Sequence, residues 1–92
     1  MRKVATWGTF DLLHEGHHNL LRRAKDLGDF LAVIIIPDQE VHENKGRYPI
    51  NNQEERAQNV RDFPFVDEVY IDSLTSGLES VIALKPDICI RL

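Results

Sequence analysis

The chain has 92 residues, a formal charge of −4 and an apolar fraction of 42%, which together indicate one globular domain with a modest core. The acidic balance argues against general binding to nucleic acid or to anionic membranes, because both need basic surfaces. The single cysteine, Cys89, rules out an internal disulfide and fits a reducing compartment. The sequence shows no signal-peptide core, and its longest apolar run, residues 30–37, is too short to cross a membrane. We therefore expect a soluble cytoplasmic protein.

Strand and helix patterns alternate in the first third of the chain. Residues 4–7 form a β-prone run that stops at Gly8, and residues 16–27 carry an apolar stripe at helical spacing. We expect Gly28 to cap that helix. Residues 30–36 are apolar without alternation, which is typical of a strand buried on both faces of a parallel sheet. The chain thus begins with a strand–helix–strand unit.

The alternation continues to the end of the chain. Residues 37–49 are polar and contain Gly46, so we predict a loop there. Four elements are expected after it: a helix capped by Asn51 or Asn52 that ends before Pro64, a strand at 66–71, a helix at 74–84 and a strand at 88–90. This order predicts a single α/β domain over residues 1–92, with a Rossmann-like, doubly wound parallel sheet in three α/β/α layers.

The segment after the first strand has an unusual composition. It contains three of the four histidines of the chain within five residues: His14, His17 and His18. Gly8 allows a turn and the close approach of a ligand, and Gly16 leaves uncrowded a helix start whose free N–H groups bind anions. Because His14 and His17 are three residues apart, we expect them to point the same way and to donate hydrogen bonds to phosphate oxygens.

Two other interpretations of these histidines stay open. They could be ordinary capping and surface residues. The segment also matches the H-E-x-x-H zinc pattern, with His14 and His18 as ligands and Glu15 as base. That pattern needs both histidines inside one continuous helix, whereas here Gly16 lies between them and the motif opens a helix. A third ligand would have to come from His42 or from a carboxylate.

Three cations are placed near this segment by the predicted fold. Lys45 and Arg47 follow the second strand, at the same end of the sheet as His14, and Arg56 lies in the next helix. Each alone is typical of a solvated surface charge. Together they could neutralise a triphosphate, which an acidic protein otherwise repels.

The motifs resemble a known family. Gly-Thr-Phe-Asp at residues 8–11 followed by His-x-Gly-His at 14–17 resembles the signature of the cytidylyltransferase-like nucleotidyltransferases. Residues 1–29 are most similar to glycerol-3-phosphate cytidylyltransferases. The Lys-Gly, Pro-Ile and Glu-x-Arg pattern within residues 45–56 also resembles heptose-phosphate adenylyltransferases and archaeal-type FAD synthetases. The resemblance covers nearly the whole chain.

The resemblance implies a reaction and a set of site residues. A phosphate of the acceptor attacks the α-phosphorus of CTP or ATP and releases pyrophosphate, with Mg²⁺ accompanying the nucleotide and no protein ligand assigned to a metal. The residues implied in catalysis are His14 and His17, which stabilise the transition state, and Lys45, which reaches the phosphates. The residues implied in nucleotide binding are Gly8, Thr9, Phe10, Asp11, Gly16 and Arg56. Asp11 is expected to act by orienting the loop.

The preferred hypothesis is transfer of CMP from CTP to a small phosphorylated acceptor such as glycerol phosphate. The first alternative is transfer of AMP from ATP to a sugar phosphate or a flavin phosphate. Relatives continue beyond the fourth strand into an Arg-Thr-Glu-Gly-Ile-Ser-Thr-like segment, which we expect this chain to lack. An inactive nucleotide-binding module therefore stays open as a second alternative. The resemblance also implies a homodimer, and we expect no nucleic-acid or membrane partner.

Overall fold

The chain folds around a four-stranded parallel sheet, seen in a computed structural model that describes residues 1–73 and 83–91. The elements in chain order are β1 (Lys3–Gly8), α1 (Glu15–Asp26), β2 (Phe30–Ile35), α2 (Asp38–Lys45), α3 (Gln53–Arg61), β3 (Glu68–Ile71) and β4 (Ile88–Arg91). Within these described ranges, no helix combines the length and the apolar character that a membrane span requires.

The strands lie in the order β3-β2-β1-β4, with every neighbouring pair parallel. Thr6 of β1 is in register with Val33 on one side and with Ile90 on the other. The order therefore reverses at β1, which confirms the predicted Rossmann-like, doubly wound sheet. Ligands of such sheets bind beyond the carboxyl end of the strands at this reversal, here the segment that follows Gly8. The helix predicted over residues 74–84 lies outside the described residues, apart from its last two positions.

Helices α1 and α3 pack on the same face of the sheet. The buried cluster between helices and sheet consists of Val4, Phe10, Leu21, Ala24, Leu31, Val33, Ile35, Ala57 and Val60. Phe10 is the member of this cluster that lies in the β1–α1 loop, so the core itself anchors that loop. A smaller cluster on other sheet positions joins Ala5 and Ile34 with the partly buried Trp7 and Tyr70.

The loop predicted over residues 37–49 is wrong for most of its length, because the structure contains α2 there. This helix starts after Pro37 and ends at Gly46, whose left-handed backbone (φ 76°) closes the last turn. Only Glu40 and Val41 are buried in it, so the sequence has no apolar stripe that would indicate a helix. The informative signals were Pro before the first turn and Gly after the last.

The predicted capping role of Gly28 is also wrong. The C-cap residue of α1 is Leu27, which has a right-handed backbone conformation. The backbone of Gly28 is not left-handed. A Cβ atom on Gly28 would lie 2.6 Å from the carbonyl oxygen of Arg2. Glycine is therefore needed here because two backbone segments approach closely, and not because the backbone is left-handed.

Helix α3 begins at one of the two predicted caps. The side chain of Asn52 accepts a hydrogen bond from the Glu55 N–H at 2.8 Å, and the Glu55 side chain accepts one from the Asn52 N–H at 3.4 Å. This reciprocal capping box satisfies two N–H groups that the helix leaves unpaired. The strand that follows, β3, is shorter than predicted, because it begins at Glu68 and not at position 66.

Candidate active site

His14 and His17 form an interlocked cap at the start of α1. His14 is the N-cap residue, and its Nδ1 accepts a hydrogen bond from the Gly16 N–H at 2.9 Å. The Nδ1 atom of His17 accepts one from the His14 N–H at 3.3 Å. The two ring centroids are 4.1 Å apart. The expected proximity of the two rings is confirmed, although His14 precedes the helix and has an extended backbone.

This cap determines which ring nitrogens are available to a ligand. Because both Nδ1 atoms accept backbone N–H groups, each neutral imidazole carries its proton on Nε2, which is then a donor. Burial, followed by the charge of His14, holds the pKa of His17 below its usual value and so favours the neutral ring. Two Nε2–H donors thus lie at the positive end of the α1 helix dipole, an arrangement that suits phosphate oxygens.

The glycine between the histidines makes room for the first of them. A Cβ atom on Gly16 would lie 2.6 Å from Cε1 and 2.9 Å from Nδ1 of His14. Real side chains do not approach so closely, so the His14 ring can fold over the helix start only if residue 16 is glycine. The spacing of the His-x-Gly-His motif therefore has a direct steric explanation.

The loop before the histidines holds an aromatic residue in an unfavourable backbone conformation. Phe10 has a φ of 52° yet is only 4% exposed. Such a conformation costs a bulky residue about 1–3 kcal/mol, and burial of the ring in the core compensates for it. Gly8 makes space for this ring, since a Cβ atom there would lie 3.0 Å from Phe10 Cε2. Phe10 in turn lies against His17, with ring centroids 5.8 Å apart.

Asp11 ties this loop to the segment before α3. Its two carboxylate oxygens accept the N–H groups of Ile50 and Asn51, each at 2.8 Å, and the Asn51 side-chain amide donates to the Asp11 carbonyl at 2.8 Å. Burial raises the pKa of Asp11, but these N–H donors and the positive charges of Arg56 and Arg47 outweigh it, so the pKa lies below its usual value. These are the contacts that a loop-orienting residue needs.

Two cavities meet at Asp11 and Leu12, which line both. The first has a volume of about 350 Å³ and is also lined by Thr9, Val41, Lys45, Arg47, Tyr48, Pro49 and Ile50. The second has a volume of about 550 Å³ and is also lined by Leu13, His14, Glu15, His18, Asn51, Asn59, Asp62 and Phe63. The cations therefore border the first cavity, and carboxylates with His14 border the second. Of the predicted catalytic residues, Lys45 lines the first cavity, His14 lines the second and His17 lines neither.

Arg56 is buried behind the β1–α1 loop. Its side chain is fully buried, and its three nitrogens donate to the carbonyls of Asn51 and Thr9 and to the carboxylate of Asp38, at 3.1, 2.8 and 2.7 Å. Neither Asn51 nor Asp38 was predicted as a site residue from the sequence. Asp38 had one signal, since it is the first charged residue after the apolar strand β2, at the ligand-binding end of the sheet.

His18 has different neighbours from His14. Its ring packs edge-on against Phe63 and Phe65, with centroid distances of 5.4 and 5.2 Å. His42, the other ligand considered for zinc, stacks on Tyr48 at 4.3 Å. Among residues 1–73 and 83–91, no three His, Cys, Asp or Glu side chains are grouped closely enough to hold a metal ion.

Comparisons with known proteins identify the family of this chain. FAD synthases of Thermococcus sibiricus and Pyrococcus abyssi are 47% and 45% identical over 94% of this chain, which spans 59% of their length. The crystal structure of a lipopolysaccharide core biosynthesis protein from Thermoplasma volcanium matches with a TM-score of 0.89 and 34% identity, covering 97% of this chain and 72% of that one. The family model described as cytidylyltransferase-like matches residues 5–91. The chain therefore belongs to the cytidylyltransferase-like family.

Proposed function

We propose that this chain carries the catalytic site of an adenylyltransferase that transfers AMP from ATP to a phosphorylated flavin. The relatives named FAD synthase support this choice of nucleotide and acceptor. The likeness of residues 1–29 to glycerol-3-phosphate cytidylyltransferases favoured CMP transfer to glycerol phosphate. The relatives match 94% of the chain and outweigh that local likeness, so adenylyl transfer is now the preferred hypothesis.

The observation that carries nucleotidyl transfer is the paired cap of His14 and His17 at the N-terminus of α1. In the proposed reaction, an oxygen of the acceptor phosphate attacks the α-phosphorus of ATP. The bond from this phosphorus to the bridging oxygen breaks, and pyrophosphate leaves with that electron pair. Charge grows on the α-phosphate oxygens meanwhile, and the two Nε2–H donors stabilise it most when it is greatest. No protein nucleophile is needed.

We propose that the 350 Å³ cavity bordered by Lys45 and Arg47, called the cationic cavity from here on, receives phosphates of the nucleotide. Lys45 and Arg47 are exposed and border it, so both are available to phosphate oxygens. Both carboxylate oxygens of Asp11 already accept backbone N–H groups. We therefore propose that Mg²⁺ enters as part of the magnesium–ATP substrate, held by the phosphate oxygens.

A nucleotide-binding role without turnover is the second candidate. The observation that favours it is the separation of two residues implied in catalysis, because Lys45 lines the 350 Å³ cavity and His14 lines the 550 Å³ cavity. In that case the histidine cap and the cationic cavity bind the phosphates, but no acceptor is adenylylated.

The test is a pyrophosphate-release assay that crosses ATP and CTP with FMN and glycerol 3-phosphate in the presence of Mg²⁺. We expect release with ATP and FMN together, and a product with the mass of FAD. A preference for CTP with glycerol phosphate would overturn the proposal. The control variant Asn19→Ala alters an exposed position of α1 and should retain full activity.

Thermal unfolding with each nucleotide separates turnover from binding. A ligand at a hundredfold excess over its dissociation constant stabilises the fold by about 2.7 kcal/mol. A larger rise in melting temperature with ATP than with CTP, without pyrophosphate release, would favour the binding role. The absence of any rise would contradict both candidates.

A further inference from the structure

Arg56 carries a full charge but is enclosed by the protein. Its side chain is 0% exposed and its guanidinium pairs with Asp38 at 2.7 Å, so the charge is compensated internally. A side chain that contacts phosphates from solvent needs a donor directed into a cavity. Arg56 lines neither the 350 Å³ cavity nor the 550 Å³ cavity. This geometry differs from that of Arg47, which is exposed and borders the first cavity.

The partners of Arg56 belong to three different segments that surround the site. Nη1 donates to the carbonyl of Thr9 in the β1–α1 loop, and Nε donates to the carbonyl of Asn51 before α3. Nη2 donates to the carboxylate of Asp38, the first residue of α2. The same helix ends at Lys45, on the wall of the cationic cavity. One planar group therefore connects the loop that leads to the histidines with the helix that presents the lysine.

We infer that Arg56 is a positioning residue, which fixes the β1–α1 loop relative to α2 and does not contact the nucleotide. The inference rests on the proposed function and replaces the expectation that Arg56 binds nucleotide directly. A lysine keeps the charge, but its three donors lie on one nitrogen and not on three nitrogens of a rigid planar fork, so it cannot reach three acceptors that are spaced around a guanidinium. Misplacement of reacting groups by about 1 Å lowers a rate by about 10²-fold.

The test compares Arg56→Lys with two matched variants. In Arg56→Lys we expect kcat to fall about 10- to 100-fold, while the KM for ATP and the affinity for inorganic tripolyphosphate stay within about threefold of wild type. Arg47→Ala should instead lower the affinity for tripolyphosphate, which titration calorimetry measures. Arg61→Lys, an exposed change on the same helix, should leave all three quantities unchanged.

Amide hydrogen exchange supplies a readout that does not depend on turnover. Arg56→Lys should speed exchange in residues 9–13 and 50–52 and leave β1 and β2 protected. Wild-type kcat, wild-type exchange in these segments, or a loss of tripolyphosphate affinity as large as in Arg47→Ala would each overturn the inference. If Arg56→Lys does not fold, Asp38→Asn keeps the shape of the partner, removes its charge and should give the same pattern.

Failure of the proposed function is recognised separately. If the wild-type protein releases no pyrophosphate with any substrate pair, adenylyl transfer is wrong. The role of Arg56 is then decided by hydrogen exchange and tripolyphosphate affinity alone.

Discussion

Replacing Gly16 with alanine should impair catalysis far more than folding. The new Cβ atom would lie 2.6 Å from Cε1 and 2.9 Å from Nδ1 of His14, in the ring that caps α1. The backbone of α1 cannot move away without loss of the helix, so the imidazole must rotate. It then gives up its 2.9 Å bond from the N–H of residue 16 and carries its Nε2–H donor away from the position beside His17.

Gly16→Ala should change stability less than catalysis, because the loss of the N-cap bond is offset by a gain in helix propensity and the loss of a catalytic donor is not offset. Loss of an N-cap bond costs about 0.5–2 kcal/mol, while alanine is favoured over glycine in a helix by about 1 kcal/mol. We therefore expect the unfolding free energy to change by less than about 1 kcal/mol. Removing one transition-state donor lowers kcat by about 10²–10³. Displacement of the His14 ring should lower kcat by at least about tenfold, up to the loss seen in His14→Ala.

Urea unfolding measures the unfolding free energy, and the pyrophosphate-release assay measures kcat. Asn19→Ala makes a comparable gain in helix propensity at an exposed position of α1, away from the His14 ring, and should keep wild-type kcat. In a His14→Ala background, Gly16→Ala should cause no further loss of kcat, because the ring it displaces is gone. Wild-type kcat in the single variant, or fully additive losses in the double variant, would refute the steric argument.

His17→Ala should lower kcat by about 10²–10³ with only a small loss of ATP affinity, whereas His18→Ala should retain kcat; the reverse result in the pyrophosphate assay would favour the zinc pattern. Because the pKa of Asp11 is depressed in the folded state, its stabilisation should be complete above the unfolded pKa of about 3.9 and be lost as pH falls through the folded value. The difference in urea stability between wild type and Asp11→Asn should therefore shrink on acidification, and a constant difference would contradict this assignment. The protein should be a homodimer, and a monomeric mass by light scattering at high concentration would disprove that expectation.

The parts of the fold that depend on local interactions were predictable from the sequence. The unbroken apolar run of β2 identified a central parallel strand, and the asparagine pair at residues 51 and 52 located the start of α3 to within one residue. The histidine spacing predicted that two rings lie together at a helix start. These features need only near neighbours in the chain, so a pattern within a few residues contains the information. Helix α2 was missed because only Glu40 and Val41 are buried in it.

The tertiary structure decided what surrounds the histidines. The sequence shows Arg56 as one cation among several, and nothing local separates it from an exposed charge. Its acceptors lie 5, 18 and 47 residues away, so only the folded chain brings Asn51, Asp38 and Thr9 to one guanidinium. Burial of a charge is stable only when its partners surround it completely, and that condition depends on the packing of several segments at once. For this reason the motif is enough to propose a chemistry for the site, while the contacts of Arg56 became visible only in three dimensions.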